Sequence, residues 1–392
     1  MKIVKSCIIC SSDDMKILLD LGDQPLANAL LEDASQQALL YPLVLSQCKR
    51  CLHGQISTQL EPSLLFSSDY PFLAGQSISW VKHCEEIVNR LVEYVNTDSV
   101  NRIIDIGSND GTLLFTFERL WGSQHRLLGV DPSDIQADYT LQPTTWEEAE
   151  IETGSARVIT ATNVLAHTSN PHAFISKVCK ALAPNGVFYL EVPDFSKMLM
   201  TYNFTSIYHE HYSYFTLTSL LSLLISHQLW PIQIIESPMH GGSIGIIASK
   251  DPLLMSDLVI SSKSHLYCSS DFHIGVGVAV KDLLTDLLSS EEPVYGYGAS
   301  AKATVLLNYI NDTQQTLDPS FNLSIRGVFD SAPTKIGRFI PGVDIPIYSP
   351  ADIDLHKPAT ILILSPNIKD DIIFQAKRFG FTGSFIMLSS PV

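Results

Sequence analysis

The chain has 392 residues, 45% of them apolar and 17% charged, which is too long for one ordinary hydrophobic core and too apolar for disorder. Its formal charge of −16 repels a polyphosphate backbone and argues against a nucleic-acid polymer as partner. A single nucleotide is not excluded, because local backbone donors outweigh a screened global field.

At the N-terminus, Met1-Lys2-Ile3-Val4-Lys5 runs straight to Cys7, and Ser11-Ser12-Asp13-Asp14 ends any apolar stretch, so no targeting signal is expected. No apolar run reaches the roughly 18–20 residues that span a bilayer; the leucine-rich stretch 217–229 is broken by serines, threonine and His227 and reads as a buried helix. No membrane contact, a cytoplasmic location and reduced cysteines are therefore expected. Cys7-x-x-Cys10 and Cys48-x-x-Cys51 form two knuckles, and each spacing lets both sulfurs turn onto one ion. Four thiolates close a tetrahedron and leave no open position, so a structural zinc ion is expected. Cys84, Cys179 and Cys268 read as core thiols.

From about residue 67, apolar runs at 102–106, 126–130, 156–160 and 186–192 alternate with amphipathic stretches, the grammar of a mostly parallel sheet with helices on both faces. A polar, serine-rich stretch at 256–270 reads as a linker. A helix-like run at 276–288 and strand–turn–helix units starting at 294, 325 and 360 then predict a second, smaller α/β domain. The expected division is residues 1–66, 67–250 and 251–392.

The first strand runs into Asp105-Ile106-Gly107-Ser108-Asn109-Asp110-Gly111, a glycine turn that opens a helix. Gly107 and Gly111 let backbone approach a ligand where a Cβ would collide. The G-x-x-x-G spacing departs from the dinucleotide fingerprint G-x-G-x-x-G and favours a ligand without a pyrophosphate there. Asp131 ends the second strand, where a carboxylate can accept both hydroxyls of an adenosine ribose, and Asn163 and His167 lie past a further strand end. Any one of these is also compatible with plain packing. As an ordered set over about 101–193 they resemble the S-adenosylmethionine-dependent class I methyltransferases, which implies a cofactor held by Asp105, Gly107, Ser108, Asn109, Gly111, Asp131 and Asn163.

A narrower resemblance covers nearly the whole chain. Residues 20–28, 104–114, Tyr208-His209-Glu210-His211-Tyr212-Ser213-Tyr214-Phe215, His240-Gly241-Gly242-Ser243, 296–302 and 330–347 are similar, in order, to the sugar C-methyltransferases of deoxysugar pathways. Asp131 stands where those relatives often carry glutamate. The resemblance implies a class I methyltransferase domain flanked by a zinc module and a C-terminal Rossmann-like domain. It also implies methyl transfer to a carbon beside the ketone of a nucleotide-linked keto sugar, carbon 3 being favoured.

That chemistry needs a base to form an enolate, and histidine, with an ordinary pKa of ~6.5, suits it. His211 is the candidate, with Tyr208 and Glu210 as neighbours that donate to the enolate oxygen, orient imidazole or bind sugar. His167 competes for the role or orders the turn after Asn163, and His240 ranks below both. A surface or satisfied-core histidine is the plainer alternative for each. The turn Gly296-x-Gly298-x-x-Ala301, with Ser300 and Lys302, could hold a diphosphate or be a packing turn, and Lys335 and Arg338 are candidate phosphate partners. Tyr70 completes the expected substrate contacts. The competing functions are an O- or N-methyltransferase, an NAD(P)-dependent oxidoreductase using the Gly296 loop, and a binding protein without turnover.

Overall fold

The computed structural model describes residues 1–65, 75, 78–133, 138–254, 271–290, 292–317, 325–357 and 360–388. Tyr70, Cys268 and the linker read at 256–270 lie outside the described residues. No described helix is long and apolar enough to cross a membrane.

The central unit is a seven-stranded sheet ordered Trp230–Ser237, Ser243–Ser249, Leu182–Pro193, Ala156–Thr162, Arg102–Ile106, Arg126–Val130 and Leu141–Gln142. All neighbours pair parallel except Ser243–Ser249, which is antiparallel to both strands beside it. This is the class I methyltransferase arrangement of a Rossmann-like sheet. Ile103, Ile104 and Ile106 are all but fully buried, as a strand covered on both faces requires. The chain leaves Arg102–Ile106 in one direction and returns on its other side at Ala156–Thr162, so the ligand-binding switch point lies between those two strands. Two of the expected strands are longer than their apolar runs. Ala156–Thr162 gains two residues, and Leu182–Pro193 starts earlier, with a register shift between Leu182 and Val187.

The C-terminal unit is a six-stranded sheet ordered Phe339–Ile340, Ile345–Tyr348, Ile325–Phe329, Val294–Tyr297, Thr360–Ile363 and Ser384–Met387, parallel except for the first strand. The helices Phe272–Leu288 and Ala301–Leu317 belong to it. The N-terminal module is an antiparallel sheet of Met15–Pro25, Leu40–Cys48 and Gly54–Ile56, completed by Ser213–Tyr214 from far along the chain. The module's described buried residues belong to cores it shares with the other units. Leu45 and Ile56 share a cluster with Phe204 and Tyr212 of the central unit and with Val276, Leu283, Leu306 and Ile310 of the C-terminal helices. Three textures of sequence therefore fold onto shared cores. Cys84 is buried and Cys179 half-buried, both free thiols.

The knuckles close the module's outer end. Cys7 Sγ lies 3.5 Å from Cys51 Sγ and Cys10 Sγ 3.5 Å from Cys48 Sγ, and all four sulfurs are within 4.8 Å of one another. Four thiolates about 2.3 Å from a central zinc would stand at this kind of separation. The residue after each knuckle's second cysteine, Ser11 and Leu52, takes a left-handed φ, and Cys7 and Cys48 accept backbone donors from those same residues. The turns are thus wound around the sulfurs.

Two predictions follow from this packing. A Cβ on Gly275 would lie about 2 Å from the ring of Tyr202, which is itself stacked on Phe272, whereas at Gly277, two residues on, it would have nothing within 4 Å. Alanine gains up to ~1 kcal/mol of helix propensity at either site, but overpacking costs ~1–3 kcal/mol. Thermal unfolding should therefore show Gly275→Ala destabilised and Gly277→Ala unchanged or stabilised. Metal analysis of the purified chain should find about one zinc per molecule, and Cys48→Ser should lose zinc and melting temperature together.

Candidate active site

The glycine loop is shaped by three left-handed residues, Gly107 (φ 70°), Asn109 (φ 48°) and Gly111 (φ 80°). At Gly107 a Cβ would come 2.3 Å from Val164, so the loops that follow the first and fourth strands of the class I order touch through a glycine. Asp131, at the second strand end, is nearly buried. Its Oδ2 accepts the Asn109 N–H at 2.9 Å, and its Oδ1 accepts the Ser133 N–H at 2.9 Å and the Ser133 hydroxyl. Each carboxylate oxygen has two lone pairs, so acceptor capacity remains beyond these bonds. Asp105 points along the sheet instead, accepting Thr160 Oγ1 at 2.7 Å, and burial pushes its carboxyl up to about 7. Ser108 and Asn109 meet a residue that sequence reasoning missed. The Tyr139 hydroxyl donates to Asn109 O at 2.6 Å and lies 3.0 Å from Ser108 Oγ, while its ring closes over Gly111. Asn163 takes φ 58°, and its buried Oδ1 has no partner.

The Tyr-His-Glu-His segment is held from both sides. Ser213–Tyr214 is a strand of the N-terminal sheet, and Tyr212 donates to Leu60 O at 2.7 Å. His211 Nδ1 is 3.3 Å from Ser206 O, which can only accept, so Nδ1 carries the hydrogen and Nε2 presents its lone pair. Tyr208 Oη lies 2.8 Å from that Nε2. His167 stands with its ring 4.6 Å from that of His211, its Nδ1 bonding Glu210 O at 2.9 Å, and burial pulls the His167 imidazole down to about 4. The structure thus brings together Tyr208, Glu210, His211 and His167, from two separate stretches of chain. His209 is different: it is fully buried, its Nε2 bonds Tyr41 O at 3.2 Å, and it serves the contact with the N-terminal sheet.

Glu210 is fully buried, and burial pushes its carboxyl up to about 7. Its Oε1 accepts Asn28 Nδ2 at 3.0 Å, and its Oε2 has no partner. Asn28 belongs to the N-terminal module and was not singled out; only its place in the resembling run 20–28 marked it.

The residue before it, Ala27, accepts Thr304 Oγ1 at 2.9 Å. This sets the first turn of the helix Ala301–Leu317 beside the Glu210 segment. There Ser300 Oγ lies 3.0 Å from Ser365 Oγ, and burial pulls the Lys302 ammonium down to about 8. Lys335 Nζ is already engaged, with Ala299 O at 2.9 Å and Asp330 Oδ2 at 3.3 Å. Arg338 sits on the same turn, its N–H bonded to Lys335 O at 3.1 Å. The turn Met239–Gly241, which carries His240, packs against Pro366–Ile368 beyond Ser365.

Comparison with known proteins agrees with this layout. Residues 7–66 match a zinc binding domain, residues 79–230 a methyltransferase domain and residues 276–390 a C-methyltransferase C-terminal domain. The C-methyltransferase NovU of Streptomyces niveus is 28% identical over 416 residues, covering 99% of this chain and 96% of that protein. Similar solved structures include the 1,6-didemethyltoxoflavin-N1-methyltransferase of Burkholderia thailandensis (16% identity, 44% of this chain and 78% of that one, TM-score 0.34). Another is the magnesium protoporphyrin IX methyltransferase of Synechocystis (13% identity, 44% and 79%, TM-score 0.34). The three matched domains in this order, together with the near full-length relative, support an S-adenosylmethionine-dependent C-methyltransferase activity behind an N-terminal zinc-binding domain.

Proposed function

We propose that this C-methyltransferase acts on a nucleotide-linked keto-deoxysugar, methylating the carbon beside its ketone, with carbon 3 favoured, and that His211 is the base. The observation that carries the reading is the His211 environment: a lone pair fixed on Nε2, a phenol 2.8 Å from it, and a buried carboxyl of near-neutral pKa in the preceding residue. Nε2 takes the proton from the carbon acid. As substrate enters, the Tyr208 hydroxyl turns from Nε2 to the enolate oxygen, where it donates together with Glu210, and the C–H electron pair becomes the enolate double bond. S-adenosylmethionine supplies an electrophilic sulfonium methyl, and the enolate carbon accepts it.

In this reading the cofactor lies over Gly107, Ser108, Asn109 and Gly111, with its ribose at Asp131 and its methionyl end toward Asn163. The sugar nucleotide is held by Tyr70, His240, Ser300, Lys302, Lys335 and Arg338. Cys7, Cys10, Cys48 and Cys51 hold the zinc. The extents 1–66, 67–250 and 251–392 then serve as zinc module, methyl-transfer domain and nucleotide-binding domain. The Ala27–Asn28 link between Thr304 and Glu210 supports one substrate spanning the last two.

Incubation with S-adenosylmethionine and a panel of nucleotide-linked 4-keto-6-deoxy sugars, read by mass spectrometry and NMR, tests the substrate class; no gain of a methyl on any of them would end it. His211→Asn should slow methyl transfer by ~10²–10⁴-fold while both ligands still bind. It should also abolish any exchange of the substrate's α-hydrogen in heavy water; exchange at the wild-type rate would move the base elsewhere, to His167 first. For Glu210, the neutral carboxyl is the donating form and persists up to about pH 7. Rate should therefore fall on the alkaline side of about 7, and Glu210→Gln, which cannot ionise, should lose that fall. An unchanged alkaline limb in the variant would remove Glu210 as donor.

A further inference from the structure

The zinc module reaches the catalytic segment through Asn28. This residue sits third in a turn that the Ala29 N–H closes on Leu26 O at 3.2 Å. The turn is held on both flanks, since Ala27 O accepts Thr304 Oγ1 at 2.9 Å and Leu31 pairs with Phe339. Ala27 is buried, whereas Asn28 is half-buried, as are His167, Tyr208 and His211. From this anchored backbone the Asn28 side chain meets Glu210, donating from Nδ2 to Oε1 at 3.0 Å.

That bond decides where the acid proton sits. A neutral carboxyl has one hydroxyl and one carbonyl oxygen, and the oxygen that accepts an amide N–H is the carbonyl one. Asn28 therefore leaves the proton on Oε2, which has no partner among the described residues. It also acts on the acidity. Burial pushes the carboxyl up to about 7, and the N–H groups of Glu210 itself and of Asn28, from side chain and backbone, work against that rise. The titratable groups around Glu210 do not compete for this part. Burial pulls the His167 and His209 imidazoles down and pushes the Tyr212 and Tyr214 phenols up, so these four are neutral where Glu210 titrates. Tyr208 and His211 are engaged with each other.

We propose that Asn28 is a positioning residue for methyl transfer, supplied by the zinc module: its carboxamide holds Glu210 Oε1 and so keeps the acid's hydroxyl on Oε2. This rests on the donor role given to Glu210 in the preceding section. In the zinc-loaded full chain, Asn28→Ala should slow methyl transfer to a 4-keto-6-deoxy sugar nucleotide about tenfold below pH 7. Loss of the donor also lets burial raise the carboxyl further, so the alkaline fall in rate should begin about one pH unit later. Calorimetry should find S-adenosylhomocysteine bound within about twofold of wild type. An unmoved alkaline fall, or a moved one with an unchanged rate below pH 7, overturns the proposal. If Asn28→Ala does not fold, Asn28→Leu, similar in size and without a donor, should give the same slowing and the same displacement. A swap separates positioning from mere contact. In Glu210→Gln the Asn28 amide still leaves a donor on the far side of residue 210. Adding Asn28→Asp keeps the contact but reverses it and turns an acceptor outward, so the double variant should be about tenfold slower than Glu210→Gln alone. Equal rates would make the contact structural and overturn the proposal. An alkaline fall that survives Glu210→Gln fails the donor role and this proposal with it. A fall that vanishes there but does not move in Asn28→Ala sinks the positioning role alone.

Discussion

Two hydrogen bonds made by adjacent residues join the three units. Ala27 takes the Thr304 hydroxyl of the C-terminal helix, and Asn28 donates to Glu210 of the central unit. Both residues lie on the short stretch that follows the N-terminal strand Met15–Pro25. Nearby contacts reinforce the junction: Gln24 donates to Asp312 at 3.0 Å, and Leu31 pairs with Phe339. Each bond is worth only about 1 kcal/mol net, but breaking one would leave a buried polar group unmet, which costs more. The junction is therefore better described as a constraint on geometry than as a store of stability.

Much of the layout was legible because its signals are local. The strands at 102–106 and 126–130 were readable to the residue, since short apolar runs end there at Gly107 and Asp131. The cysteine spacings marked the knuckles, and the Gly296–Lys302 turn marked the strand and helix around it. What escaped was pairing over distance. Ser213–Tyr214 is two residues long and carries no period, so nothing in its own neighbourhood announces a strand of the N-terminal sheet. Asn28 and Tyr139 are ordinary polar and aromatic residues until the fold puts them against Glu210 and the glycine loop.

The two Rossmann-like units share a device. Asp131 and Asp330 each end a second strand; each takes an N–H from the preceding glycine loop on one oxygen and an N–H two residues ahead on the other. In both units the loop is held before any ligand arrives, which lowers the ordering cost of binding. The units differ in what stands next to the carboxylate. Asp330 is bridged by Lys335, whereas Asp131 meets only neutral donors among the bonds described.

The strand Ser213–Tyr214 also bears on how the chain assembles. Its partner, Gly54–Ile56, comes roughly 160 residues earlier, a separation that makes the pairing slow and late. During synthesis the N-terminal strands emerge first and present Gly54–Ile56 as an open sheet edge, the kind of surface that invites pairing with other chains. Only the arrival of the segment bearing His211 covers it. The same two residues that anchor the Tyr-His-Glu-His segment thus also act as the molecule's protection against edge-to-edge association, and a nascent chain halted before residue 213 would be the species most exposed to it.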